Sequence, residues 1–353
     1  MMESIRLLLL LLCFLPLPLQ AGMDLLSATV PIEGDAPEAR RAAMAEALRQ
    51  VLVKASGQRL TGMGEKLESL LAGAEDQAQE FRYRTGPAAG GEAPGKLLWV
   101  RFDRRTVEQD LRQLGLILWE SGRPELIPWL ALEAQGRRRL ADPERDALLY
   151  EALEEAAQRR GLALVLPLMD LQDRNALNLG DLWMVHAESI LAASSRYGKA
   201  LPLVGRLRRS GKGWRATWSL LLADGEQRFD GEGESLQAVV ADGIEQAVDL
   251  LVQRFLPSLE EAQQGVVLVR FIGLHGVGDY ARLKRLLQSL DVVTGFSLER
   301  AEADRLVFRV QALGGREALA SQLALVGELE PVVDIPDNGT SDHVVETLSY
   351  ALR

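Results

Sequence analysis

LPLVGRLRRSGKGWRATWSLLLADGEQRFDG, residues 201–231, changes direction twice at glycine-bearing turns and alternates side-chain character between them. Trp214, Ala216, Trp218, Leu220 and Leu222 fall on one side of the alternation, Arg215, Thr217, Ser219 and Leu221 on the other. A period of two sends successive side chains to opposite faces of a strand, so one face is turned to a core. Ser210–Gly213 and Ala223–Gly225 supply the turns, which predicts an antiparallel meander from Leu201–Leu207 through Trp214–Leu222 to Glu226–Gly231. Gly205 and Gly211-Lys212 invite comparison with a phosphate-binding loop, but the glycine spacing is wrong and Gly213 stands where the motif needs Ser or Thr.

Upstream, Asp142 with Pro143 at the first helical position and Gly161 as the stop predicts a helix ending at Arg160. Leu162–Leu168 is a continuous apolar run, the pattern of a strand buried on both faces, and a helix over Leu182–Arg196 leads through Tyr197-Gly198 into the meander. Downstream, Ser235 caps a helix whose face is Leu236, Val240, Ile244, Ala247, Leu251 and Phe255, ended by Pro257. Together these make a middle α/β unit, 140–258: an open mixed sheet with flanking helices.

A smaller α/β unit precedes it, 22–135. An extended stretch, Leu25–Ile32, runs into a helix with Asp35 and Glu38 as a capping box, a stripe of Met44, Ala47, Leu48, Val51, Leu52 and Ala55, and Gly57 as C-cap. Strands are expected at Glu80–Arg84, Lys96–Phe102 and Ile117–Trp119, a helix at Thr106–Leu114, and a surface loop at Gly86–Gly95. After the middle unit, 265–335 reads strand, helix, strand, strand, helix, strand, with strands at Val266–Ile272 and Arg305–Ala312 and helices at Tyr280–Leu290 and Arg316–Leu325. That order is the ferredoxin-like βαββαβ arrangement, and 336–353 is left as a C-terminal tail. The fold class is α/β in the broad sense, α+β, in several units.

At 353 residues with 47% hydrophobic and 25% charged side chains, the chain has ample material for two or three cores. Arg6, the apolar run Leu7–Leu15, Pro16 and Pro18, then Gln20-Ala21-Gly22 read as the three regions of a signal peptide spanning 1–21. The run is shorter than the ~20 residues a membrane-spanning helix needs, so export to the periplasm is the expectation and membrane attachment arises only if the segment is retained. Cys13, the single cysteine, lies in that run behind Leu11 and Leu12, unlike a lipid-attachment site, so the mature chain is expected to lack disulfides and thiolate chemistry. A net charge of −10 argues against nucleic acid as a partner.

No constellation of catalytic side chains stands out. His186, His275 and His343 share no helix face with one another, so no metal site is expected, and no cofactor motif is present. Gly339-Thr340-Ser341-Asp342-His343 sets a hydroxyl, a carboxylate and an imidazole side by side, but triads are assembled from residues distant in sequence. The turn with Gly276, Gly278 and Asp279 after the first strand of the last unit is a weak ligand-binding candidate at a helix start, where Asp279 as N-cap competes with any anion. Trp214 and Trp218 with Arg206, Arg208 and Arg209 form the candidate interaction surface, against the plainer reading of a buried tryptophan face and solvated arginines.

The run Ala45-Glu46-Ala47-Leu48-Arg49-Gln50-Val51-Leu52-Val53-Lys54-Ala55-Ser56-Gly57, with Arg196-Tyr197-Gly198, Leu203-Val204-Gly205-Arg206-Leu207 and Gly213-Trp214, resembles an exported proteobacterial family known as domain of unknown function 2066. The middle unit is similar in pattern to the periplasmic domains of TolB-like, CsgG-like and penicillin-binding-protein-activator lipoproteins. The first resemblance carries no assigned activity; the second implies a non-catalytic adaptor role in envelope assembly, binding another envelope protein. The alternative is a periplasmic glycan or peptidoglycan hydrolase whose carboxylates meet in a cleft between units.

Overall fold

The apolar stripe from Met44 to Ala55 is buried throughout, along a helix over Pro37–Ser56 (α1). In the computed structural model, which describes residues 23–34, 36–87, 94–120, 122–256, 265–274, 276–302, 304–332 and 347–352, this helix lies on a three-stranded antiparallel sheet. The strands are Ser27–Pro31 (β1), Ala78–Pro87 (β2) and Pro94–Phe102 (β3), in the order β1-β3-β2. Short helices Gly64–Ala72 (α2) and Ala74–Gln77 (α3) lead into β2, and Arg104–Gln113 (α4), capped by Asp103, follows β3. Gly57 ends α1 in the left-handed region and donates its N–H to Val53 O, as the sequence predicts. The N-cap is Ala36, which makes no side-chain cap; Asp35 lies outside the described residues. Leu98, Val100 and Phe102 are buried towards α1, whereas Thr29, Pro31 and Arg101 on the reverse face are exposed.

The middle sheet comprises Leu126–Ala134 (β4), Arg137–Leu140 (β5), Leu201–Ser210 (β6), Gly213–Leu222 (β7) and Gly225–Gly233 (β8) in the order β5-β4-β6-β7-β8. β4 and β6 are parallel and the other pairs antiparallel, so the expected open mixed sheet is present. Ala147–Arg159 (α5), Leu171–Ala176 (α6), Leu179–Met184 (α7), Ala187–Ser194 (α8) and Leu236–Phe255 (α9) flank it. α5 and α9 pack with Leu203, Leu207, Trp218 and Leu220 on one side. α7 and α8 pack with Ile127, Trp129 and Val204 on the other.

Five expectations are corrected in this unit and at its start. The break from the first unit falls before β4 rather than at 135, because β4 pairs with β6 along Leu126–Glu133. Leu162–Leu168 is not a strand: it makes one bridge, Leu164 to Leu126, and its side chains fill the two cores from an irregular segment. Ile117–Trp119 pairs with no strand; Trp119 instead donates its N–H to Ala55 O and buries its indole over Gly57. The helix expected from Asp142 starts at Ala147, because the Asp146 carboxylate takes both the Arg139 guanidinium and the Asp142 N–H and holds the preceding turn. The helix expected over Leu182–Arg196 is broken at Val185, which turns through the left-handed region.

The last unit contains Gly265–Ile272 (β9), Val277–Ser289 (α10), Val293–Ala301 (β10), Arg305–Ala312 (β11), Gly315–Leu325 (α11), Leu329–Pro331 (β12) and Thr347–Leu352 (β13). The first six follow the ferredoxin-like order. The stretch assigned to the tail contributes a strand of its own: β13 runs parallel to β9 and sits between β9 and β12. Leu348 and Tyr350 carry it into the core.

The units are joined through buried arginines. Arg160, whose side chain is 2% exposed, donates to Gly57 O and pairs with Glu245 and Asp249 of α9. Arg123 reaches the carbonyls of Lys54, Ala55, Trp119 and Gly161 and lies over the Trp119 ring. Burial pushes the Arg123 guanidinium down to about 9, still above neutrality.

Candidate functional site

Strand register divides the five residues of the expected interaction surface between two faces. Arg209 lies opposite Trp214 and Gly205 opposite Trp218 on the α9 side, whereas Arg208 lies opposite Arg215 and Arg206 opposite Thr217 on the α7 side. The tryptophan face is core. Trp218 is fully buried, and a Cβ at Gly205 or Gly243 would come within 2.5 or 2.2 Å of its ring, so two glycines on β6 and α9 make the slot that the indole fills. Phe229 stacks beside it. Trp214 is half-buried at the end of the same face, with Arg209 over its ring at 5.6 Å.

The opposite face is charged. Arg138, Glu133, Arg208, Arg215 and Glu232 stand in one row across all five strands, and Arg206, Thr217 and Asp230 in the next. Trp183 of α7 lies against this row, its ring under Arg138 at 4.1 Å and within 5.7 Å of Arg208. Trp183, Arg206, Arg208, Arg215 and Thr217 line a hollow of about 120 Å³. Glu133 takes Arg138 at 2.8 Å and Arg208 at 3.5 Å, and Glu232 takes Arg215 at 2.7 Å. Arg206 gives Nη1 to the Trp183 carbonyl at 3.0 Å, while its buried Nε finds no acceptor among the described residues. Burial, then repulsion from Arg228 and Arg208, pushes the Arg206 guanidinium below its ordinary range, against attraction from Glu226 and Asp230.

Beside this face the helices are held by a polar knot. The buried Asp173 carboxylate accepts from Met169 N–H at 2.8 Å, Arg196 at 2.9 Å and Tyr197 Oη at 2.5 Å, and Arg196 also binds Asp170. The Arg196 hydrogen bond foremost draws Asp170 down to about 2, while burial and the Asp173 contact push Tyr197 up to about 12. Every member is spoken for within the knot, so it orients the Arg196-Tyr197-Gly198 turn.

The glycine turn is rearranged. Gly276 is the N-cap of α10, without a side-chain cap, and Asp279 falls inside the first turn, correcting its expected capping role. Gly276 and Gly278 are exposed with open space around them. His275 and 339–343 lie outside the described residues. Among the described residues no group of three His, Cys, Asp or Glu is placed to share a metal ion, and no helix is long and apolar enough to cross a membrane.

Between the first and middle units, Asp24, Glu120, Arg123 and Glu125 border a cleft of about 390 Å³. Burial raises the Asp24 carboxyl, but hydrogen bonds from Arg101, Ser27 and the Leu26 N–H outweigh it and hold the group below the ordinary range. Glu120 is paired with Arg104.

In the first unit, β2 is an edge strand that bonds only to β3. Phe81 and Tyr83 are 47% and 45% exposed there, edge to face at 6.1 Å. On the reverse face Arg82, Arg84 and Arg101 surround Trp99 at 5.4–5.7 Å, and on the face of Phe81 and Tyr83, Lys96 lies over the Tyr83 ring at 5.1 Å.

The chain thus belongs to the α+β class, with a first unit that ends in an open strand. Residues 21–120, which contain that unit, match the model of a Domain of unknown function (DUF8605). No curated protein and no solved structure matches the chain.

Proposed function

We propose that this protein is a periplasmic, non-catalytic adaptor of the bacterial cell envelope, related to the exported proteobacterial family of domain of unknown function 2066, and that it binds another envelope protein through its first unit. The observation that carries this reading is β2. A ten-residue edge strand offers a row of unpaired backbone donors and acceptors, and natural proteins normally blunt such an edge unless a partner strand adds to it. Phe81 and Tyr83 supply side-chain anchors, while Arg82, Arg84 and Lys96 favour an extended partner segment that carries carboxylates. The signal-like segment at 1–21 supports export.

The hydrolase alternative rests on the cleft with Asp24, Glu120 and Glu125. A glycosidase needs one carboxyl kept protonated as the acid, whereas Asp24 is shifted the opposite way and Glu120 is committed to Arg104. A photocrosslinking residue placed at Tyr83, in intact cells, tests the adaptor reading against a control at Leu148, which is also exposed. A discrete envelope-protein adduct from position 83 alone is expected. No adduct, together with cell-wall cleavage by the purified protein that Asp24→Asn abolishes, replaces the adaptor with the hydrolase.

A further inference from the structure

We propose that the hollow between Trp183 and the outer face of β6 and β7 is a binding site for a single phosphate-type oxyanion, centred on Arg206 with Arg208, Arg215 and Thr217 as flanking donors. The inference stands apart from the adaptor reading, since it concerns a different unit and a different ligand.

Three observations converge. Arg138, Arg208, Arg215 and Arg228 each have a carboxylate partner, Glu133, Glu133, Glu232 and Glu226 respectively. Arg206, at the centre, has a carbonyl and a buried N–H without an acceptor. A guanidinium offers donors in a planar fork suited to two oxygens of one anion, so an oxyanion in the hollow would give Nε the acceptor that the described residues do not supply. The hollow, about 120 Å³ and lined by three arginines and a threonine, has room for one such group with a water but not for a nucleotide. The downward push on Arg206 from burial and from Arg228 and Arg208 is the strain that an anion relieves.

The whole chain carries −10, so long-range steering opposes anions and recognition rests on local geometry. The oxyanion is either free phosphate or a phospholipid headgroup. Both present the same oxygens, and the arms of one experiment separate them.

The full-length mature protein is titrated with inorganic phosphate at constant ionic strength, against potassium chloride, with thermal unfolding and tryptophan emission as readouts. A saturable rise in melting temperature and a change in Trp183 emission, absent from Trp183→Phe, are expected. Arg206→Gln should weaken binding by at least about tenfold, the loss of a charge-assisted bond. Arg208→Gln with Arg215→Gln, both on the exposed rim, should weaken it without touching Arg206 and serves if Arg206→Gln does not fold. Arg209→Gln, on the opposite face, should leave it unchanged.

Co-sedimentation with phosphatidylglycerol vesicles, against phosphatidylcholine, assigns the source. Vesicle binding that Arg206→Gln abolishes means a headgroup, and phosphate binding without vesicle binding means the free ion. A phosphate effect no larger than that of chloride, or one that survives both Arg206→Gln and the rim pair, overturns the proposal.

Discussion

Strands β6 and β7 build two surfaces from one alternation, and the two are unlike. Towards α9 the pair presents Leu207, Ala216, Trp218 and Leu220, all fully buried in one contiguous core. Towards α7 it presents Arg206, Arg208, Arg215 and Thr217 around a hollow, with the Arg206 Nε lacking an acceptor among the described residues. The first surface is organised for packing, with glycines cut to the shape of an indole. The second holds a cation with no carboxylate ion pair and one buried N–H without an acceptor among the described residues. Stability and recognition are therefore separated by one residue step along the chain, and substitutions on neighbouring positions should have opposite consequences.

The largest effect belongs to the packed face. Trp218→Ala empties the slot between Gly205 and Gly243, and by the usual cost of deleting a buried aromatic it should destabilise by about 3–5 kcal/mol, read as a lower urea midpoint. If the midpoint barely moves, the tryptophan face is not the core. Next is the knot beside the charged face. Asp173→Ala strands the Met169 N–H, the Tyr197 hydroxyl and part of Arg196, a loss of about 2–3 kcal/mol on the scale of unsatisfied buried partners. A loss that Tyr197→Phe largely reproduces would show that the hydroxyl carries most of it.

How much of this was legible differs between the faces. The alternation Trp214-Ala216-Trp218-Leu220 declares the core directly and its complement puts Arg215 and Thr217 on the other face, whereas Arg206 and Arg208 are placed there only by the β6–β7 register. Arg209 was grouped with them only because it is adjacent in sequence, where a strand separates neighbours. Trp183 had no local signal, because its contact with Arg138 and Arg208 comes from a helix broken at Val185. The knot was invisible for the same reason, as Asp173 and Arg196 meet only once α6–α8 fold back. β4 had no reading of its own in the sequence, although Pro128 interrupts its apolar run, while Leu162–Leu168, equally apolar, meets it only through the bridge at Leu126, with β5 taking that side of β4 from Ala131 on. β13 is short and sits alone after a polar stretch, so its place between β9 and β12 had no marker.

A smaller effect sharpens the contrast on the charged face. Arg206→Met removes a cation without a carboxylate partner, so stability should stay level or rise by up to about 1 kcal/mol, as at sites kept for binding rather than folding. A clear destabilisation in the urea midpoint would instead make Arg206 a structural residue, held by its bond to the Trp183 carbonyl.

The smallest effect is a pH dependence beside that face. Asp170 is drawn down to about 2, chiefly by Arg196, with the Asp173 N–H assisting, whereas an unfolded aspartate titrates near ~4. A carboxyl depressed in the folded state contributes stability that is present above the unfolded value and is lost as pH falls from about 4 towards about 2. The urea midpoints of the wild type and Asp170→Asn should therefore differ at neutral pH and converge across that acid window. The difference is modest because Asp170 is on the surface, where solvent and salt screen the pair. Convergence at pH 6 would move the effect to another group. A gap that persists at pH 2 would mean that the difference does not come from the charge, and it would not come from the cap on α6 either, since the asparagine oxygen can accept the same Asp173 N–H.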